Sequence, residues 1–142
     1  MAAGAYRLRQ HENPVVTLAA MGALIPESLA AADRLVALGY GVDVVCVTSP
    51  DLLFRALQAR RGLAKDQSWI LDQVFPSERA TPLVTVLDGH PHTLAFLGTV
   101  QNVPVTTLGV TRFGQSGTVE DVHQYHGVDA DSIVSAALDL VD

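Results

Sequence analysis

The 142-residue chain has the length and composition of one globular domain, with 49% hydrophobic and 17% charged residues. Its net charge of −6 argues against a nucleic-acid partner, because a phosphate backbone requires clustered Lys and Arg side chains. No apolar run is long enough to span a membrane, and the first residues lack the apolar segment of a signal peptide. The only cysteine, Cys46, lies in an apolar run, so the sequence predicts a soluble protein of the reducing cytoplasm.

Strand patterns recur along the whole chain. Residues 6–9 alternate between apolar and polar, which predicts an exposed edge strand that returns antiparallel beside the first long strand. Four later runs are rich in Val and Thr and are typical of parallel strands covered on both faces. These runs comprise residues 15–20, 42–48, 83–87 and 103–110.

Helical patterns with recognisable ends separate most of the runs. The clearest begins at Ser49-Pro50-Asp51, which supplies a side-chain cap, a fixed φ angle and an acid near the helix start. Further helices are predicted from Pro26 to Gly39, from Ser68 to Phe75, after Thr118, and from Asp131 to Leu140. The alternation predicts a three-layer α/β/α domain around a mostly parallel five-stranded sheet with one antiparallel edge strand.

Two turns could carry a site, because each follows a predicted strand, where open α/β sheets present their ligands. In the first turn, which starts at Asp88, the side chains of His90 and His92 could ligate zinc, but further ligands are not apparent nearby. A polar turn with one hydrogen-bonded histidine is the favoured interpretation. We therefore expect Asp88, His90 and His92 to have a structural or interface role.

The second turn, Arg112 to Thr118, contains Gln115 and Ser116 between glycines. Its backbone N–H groups could bind an anion beside Arg112, or its glycines could simply permit a tight turn, which is favoured. A serine-hydrolase nucleophile is disfavoured because Gly117 directly follows Ser116. In the next helix, Glu120 and His123 match half of a di-iron motif, but the second copy that this chemistry requires is missing.

The second turn also carries a resemblance to a known family. The segment Arg112-Phe113-Gly114-Gln115-Ser116-Gly117 resembles the R-F-G-x-S-G turn near the end of transketolases. The wider region is similar to the G-F-G-x-S turn of the homodimeric pyruvate dehydrogenase component. Motifs resembling the family follow in order along nearly the whole chain: Gly4 to Leu8, Asn13 to Leu18, Val42 to Ser49, Tyr125 to Gly127, and Val128 to Ala137.

The resemblance implies that residues 1–142 are a single carboxy-terminal domain, with a transketolase-type fold, of a longer thiamine-diphosphate enzyme. It implies a homodimer, with upstream domains that hold thiamine diphosphate and Mg²⁺. The Val128-Asp129-Ala130 ending favours a 2-oxo acid dehydrogenase that acts on pyruvate and meets a lipoyl acyltransferase core. The R-F-G-x-S-G turn favours the alternative, a transketolase.

This segment itself is expected to supply no catalytic, cofactor or metal ligand. The family's G-D-G motif, which holds the cofactor diphosphate through Mg²⁺, is absent from the sequence. The two turns, with Asp88, His90, His92, Arg112, Gln115 and Ser116, are candidates for interface or anion contacts. A stand-alone binding or assembly module without a catalytic parent is the third alternative.

Overall fold

The computed structural model describes residues 4–62, 68–87, 91–109 and 129–141. Its strands are β1 (Ala5–Arg9), β2 (Val16–Met21), β3 (Val42–Val47), β4 (Leu83–Leu87) and β5 (Val105–Leu108). They form one sheet in the order β1-β3-β2-β4-β5, in which the last four are parallel and β1 runs antiparallel to β3. The predicted fold class, a mixed five-stranded α/β sheet with one antiparallel edge strand, is confirmed.

The neighbour predicted for the edge strand is wrong. β1 pairs with β3 and not with β2, with Tyr6 opposite Cys46 and Arg7 opposite Val45. The reason is that β2 lies at the centre of the sheet, where β3 and β4 already occupy both of its edges. β1 therefore pairs with the free edge of β3, and a register shift between Arg7 and Arg9 disrupts the ladder near its end.

The helices are α1 (Ile25–Ala37), α2 (Pro50–Arg60), α3 (Trp69–Val74) and α4 (Ala130–Val141), and a 3-10 helix spans Pro91–Thr99. The helix starts predicted from proline and serine are confirmed, since Pro26 lies in the first turn of α1 and Ser49 caps α2. The helix predicted after Thr118 lies outside the described residues.

Two hydrophobic cores cover the two faces of the sheet. Leu53, Leu71 and Leu94 bring α2, α3 and the 3-10 helix onto one face. Leu35 and Ile133 bring α1 and α4 onto the other face, where they contact Val44 and Val84. Because successive strand residues point to opposite faces, the continuous apolar runs are buried on both sides, and Cys46 is buried as predicted.

Candidate functional site

Both candidate turns are predicted to lie at the carboxyl end of the sheet. β4 and β5 are parallel neighbours, so the segments that follow Leu87 and Leu108 leave the sheet at this same end. Asp88, His90, Arg112, Gln115 and Ser116 lie outside the described residues. His92 falls in the 3-10 helix, but its side chain is also outside the described part. The proposed roles of these six residues stay predictions.

The described residues form a groove of about 380 Å³ at the carboxyl end of the sheet. Its lining comes from the first turns of α2 and from the 3-10 helix after β4: Pro50, Asp51, Phe54, Thr93 and Phe96. The two phenylalanine rings meet edge to face, with centroids 5.4 Å apart. Phe54 is nevertheless 43% exposed, so much of this side chain faces solvent, whereas Phe96 is partly buried against the core.

Phe54 and Asp51 lie at the groove because the N-cap fixes where α2 begins. The Ser49 hydroxyl accepts a hydrogen bond from the Leu52 N–H at 3.3 Å, and Pro50 occupies the first turn. Asp51 lies near the positive end of the helix dipole, where a carboxylate is stabilised. The sequence identified this helix start correctly, but it gave no sign that Phe96 would pack against Phe54.

A second group of polar residues lies at the amino end of the sheet, centred on Asp43. This carboxylate is fully buried and accepts the His11 N–H at 2.7 Å. It also forms ion pairs with Arg79, at 3.0 Å, and with Arg7. We call these residues (Asp43, Arg7, Arg79 and the His11 backbone) the Asp43 cluster.

The Asp43 cluster joins distant parts of the chain. Arg7 also donates to the Val74 carbonyl at the end of α3, and Arg79 donates to the His11 carbonyl. Burial lowers the pKa of the Arg7 guanidinium below its usual range; the Asp43 carboxylate opposes this shift, whereas the Arg79 cation adds to it. With its oxygens occupied and no exposed surface, Asp43 serves to fasten β1 and two loops rather than to catalyse.

Sequence reasoning missed this cluster, although a signal was present. Asp43 stands inside the otherwise apolar run Val42-Asp43-Val44-Val45, which was correctly predicted to be covered on both faces. A buried carboxylate requires a cationic partner, so the position alone indicated an arginine or lysine from elsewhere.

The described residues do not match a site for Mg²⁺ and a diphosphate. They contain no group of three or more His, Cys, Asp and Glu side chains placed to hold a metal ion. At the carboxyl end, the described groove offers one carboxylate among largely apolar groups. No chemical step through a cofactor follows from these residues. Among the described helices, none combines the length and the apolar character needed to cross a bilayer.

A sequence model of the transketolase-like TK C-terminal domain matches residues 4–129. The chain belongs to this family. The match spans most of the chain. No curated protein matches the chain.

Solved structures give the same fold. Transketolase from Campylobacter jejuni matches at a TM-score of 0.71 and 22% identity, over 96% of this chain and 18% of that one. A transketolase complex with sedoheptulose 7-phosphate from Pichia stipitis matches at 0.69 and 18% identity, over 99% and 18% of the two chains. A split-gene transketolase, described as an inactive beta4 tetramer, matches at 0.67 and 21%, over 99% and 43%. This chain therefore spans less than half of each of these relatives.

These findings favour one of the two enzymes named from the sequence. The similar structures are transketolases, and the family model carries the transketolase name. They support the transketolase alternative better than the pyruvate dehydrogenase interpretation that the sequence analysis placed first.

Proposed function

We propose that this chain is the carboxy-terminal structural and assembly domain of a transketolase-type thiamine-diphosphate enzyme. The proposal rests on the share of each chain that the matches cover. The family match and the structural matches span nearly all of this chain, but the chain spans only 18% of the Campylobacter jejuni transketolase. Domains outside residues 1–142, on the same or a separate polypeptide, would hold thiamine diphosphate and Mg²⁺.

Two-carbon transfer between sugar phosphates is the favoured reaction of the parent enzyme. The Pichia stipitis relative, which was solved with a sugar phosphate, supports this choice by analogy. A specific observation also keeps the pyruvate dehydrogenase as the second candidate. The Val128-Asp129-Ala130 segment resembles the dehydrogenase form of the closing helix. In that case the partner would include a lipoyl acyltransferase core.

The role of this domain would be assembly rather than chemistry. Its described residues supply packed faces and an aromatic groove, but no cluster of metal ligands. We propose a homodimeric parent, and the split-gene relative gives a precedent for a transketolase whose parts lie on different polypeptides.

Isothermal titration with thiamine diphosphate and Mg²⁺ tests whether the cofactor is bound outside residues 1–142. The 142-residue chain alone should bind neither, and cofactor binding should appear when the polypeptide carrying the G-D-G motif is added. That polypeptide titrated alone is the control. Saturable micromolar binding to the 142 residues alone would contradict the domain assignment.

An activity assay separates the three alternatives. The reconstituted parent should transfer a two-carbon unit from a ketose phosphate to an aldose phosphate, and it should fail to acetylate a lipoyl carrier from pyruvate. The opposite pattern would establish the dehydrogenase. Neither activity, together with no association between the chain and a cofactor-binding polypeptide, would favour a stand-alone module. The same assembly without the 142-residue chain is the control.

A further inference from the structure

We infer that the groove at the start of α2 is the surface on which this domain packs against the thiamine-diphosphate-binding part of its parent enzyme. The partner would insert an apolar side chain beside Phe54 and Phe96 and place a basic side chain against Asp51. This inference rests on the proposed function, and it adds the docking surface and the chemistry of what the surface contacts.

The first argument concerns the position of Gly4, the residue through which a preceding polypeptide would join this domain. The Gly4 carbonyl accepts hydrogen bonds from the N–H groups of Thr48, at 2.8 Å, and Ser49, at 2.9 Å. Gly4 has a φ of +109°, and a Cβ there would lie 3.1 Å from the Ser49 carbonyl oxygen and 3.2 Å from Leu52. The first described residue is therefore fixed against the start of α2, the helix whose first turns also line the groove. Because Ala5 pairs with Val47 at the end of β3, a parent polypeptide that precedes Gly4 would enter the domain at this end of the sheet.

The second argument is the exposure of aromatic surface at this position. Phe54 is 43% exposed although its ring packs against Phe96. The groove that these rings help to line has a volume of about 380 Å³, which is room for a further side chain. Aromatic residues that remain partly exposed beside such a groove are the type that dominates the centres of protein interfaces.

The third argument is charge. Asp51 is 80% exposed, and its contact with Arg55 is a long surface pair at 3.8 Å. Such a pair contributes little to stability, so the carboxylate is free to bind a cation supplied by a partner. The chain as a whole carries a net charge of −6, which also favours a basic partner surface.

Site-specific photocrosslinking in the source cells identifies what occupies the groove. Phe54 is replaced by p-benzoylphenylalanine in the full chain, and Leu38 is replaced in a matched control. Leu38 is 61% exposed at the end of α1, on the opposite face of the sheet. We expect a crosslink from position 54 to a polypeptide segment within the domain that carries the G-D-G motif, and none from position 38. A crosslink from position 54 to a second copy of residues 1–142, or no crosslink, would overturn the inference.

Substitutions give a second, quantitative readout. Phe54→Asp and Asp51→Lys should each weaken binding of the purified 142-residue chain to its cofactor-binding partner by about tenfold or more. Leu38→Asp should change that affinity less than about twofold. Circular dichroism checks that each variant is folded. If Phe54→Asp unfolds, Asp51→Lys and the crosslink still decide the question.

The outcomes separate this inference from the function on which it rests. An active assembly whose affinity is unchanged by both groove variants would overturn the docking surface and leave the proposed function intact. If no polypeptide with the G-D-G motif associates with the wild-type chain, the proposed function fails together with the docking surface.

Discussion

The amino end of the sheet buries charged groups and pairs them, whereas the carboxyl end leaves the Phe54 ring exposed beside a groove. At the amino end, Asp43 is fully buried and Arg7 retains 8% of its side-chain exposure. At the carboxyl end, Phe54 and Asp51 face solvent on the first turns of α2, and the start of the same helix contacts Gly4. The amino end of the sheet stabilises the fold, and the carboxyl end presents a surface for a binding partner.

This difference predicts how the two ends respond to substitution. Loss of a buried charge leaves its partners unpaired in a medium of low dielectric, so the free energy of unfolding falls steeply. Loss of an exposed group changes stability little, and its cost appears when a partner binds. Changes at the amino end should therefore alter folding, and changes at the carboxyl end should alter assembly.

The largest effect is expected for Asp43→Ala. This substitution leaves the Arg7 guanidinium buried without its carboxylate and also removes an acceptor from the His11 N–H. We expect the free energy of unfolding to fall by about 3–5 kcal/mol, measured by urea denaturation. Asp43→Asn should lose less, because the amide oxygen can still accept the His11 N–H.

The control for Asp43 is an ion pair on the surface. Asp33→Ala breaks the ion pair between the Asp33 carboxylate oxygen and an Arg9 guanidinium nitrogen, which are 2.5 Å apart. Both of these side chains are exposed. Its cost should stay below about 1 kcal/mol. Equal losses for Asp43→Ala and Asp33→Ala would show that burial does not distinguish the two pairs, and the contrast between the two ends would fail.

Gly41→Ala should have the next largest effect. A Cβ on this residue would lie 2.1 Å from the Asn13 carbonyl oxygen and 2.6 Å from the His11 ring nitrogen, within the loop that reaches Asp43. Because a backbone atom must move, we expect a loss of about 1–3 kcal/mol in chemical denaturation. Gly98→Ala is the control, since its Cβ would first meet a Val105 methyl group at 2.8 Å. A larger loss for Gly98→Ala would contradict the view that the loop at the amino end is tightly fixed.

Local patterns predicted most of the fold. The run Leu83 to Leu87 is β4 to the residue, and the Ser49 cap marks the start of α2, because strand burial and helix capping depend on neighbouring residues. The neighbour of β1 was predicted wrongly, because pairing depends on which strand edge the rest of the sheet leaves free.

The groove and the Asp43 cluster could be predicted only in part. Pro50 and Asp51 were recognised as a helix start, but the contact between Phe54 and Phe96 joins residues that no short pattern links. Arg7, Asp43 and Arg79 likewise come from three separate segments. Their meeting depends on the packing of β1, β3 and the short 3-10 helix Ser77–Arg79 before β4, which is a tertiary property.

The smallest of these effects is expected for Ser49→Ala, at the carboxyl end. It removes the hydroxyl that accepts the Leu52 N–H but keeps the backbone bond from the Ser49 N–H to Gly4. We expect a loss of about 1 kcal/mol in thermal or urea unfolding, which is typical of a helix cap. Ser68→Ala is the matched control, because Ser68 precedes α3 without a capping hydrogen bond from its side chain, so its loss should stay within about 0.5 kcal/mol. A loss for Ser49→Ala as large as that for Asp43→Ala would mean that the start of α2 holds the fold as strongly as the buried cluster does, and that substitutions beside the groove report on folding as well as on docking.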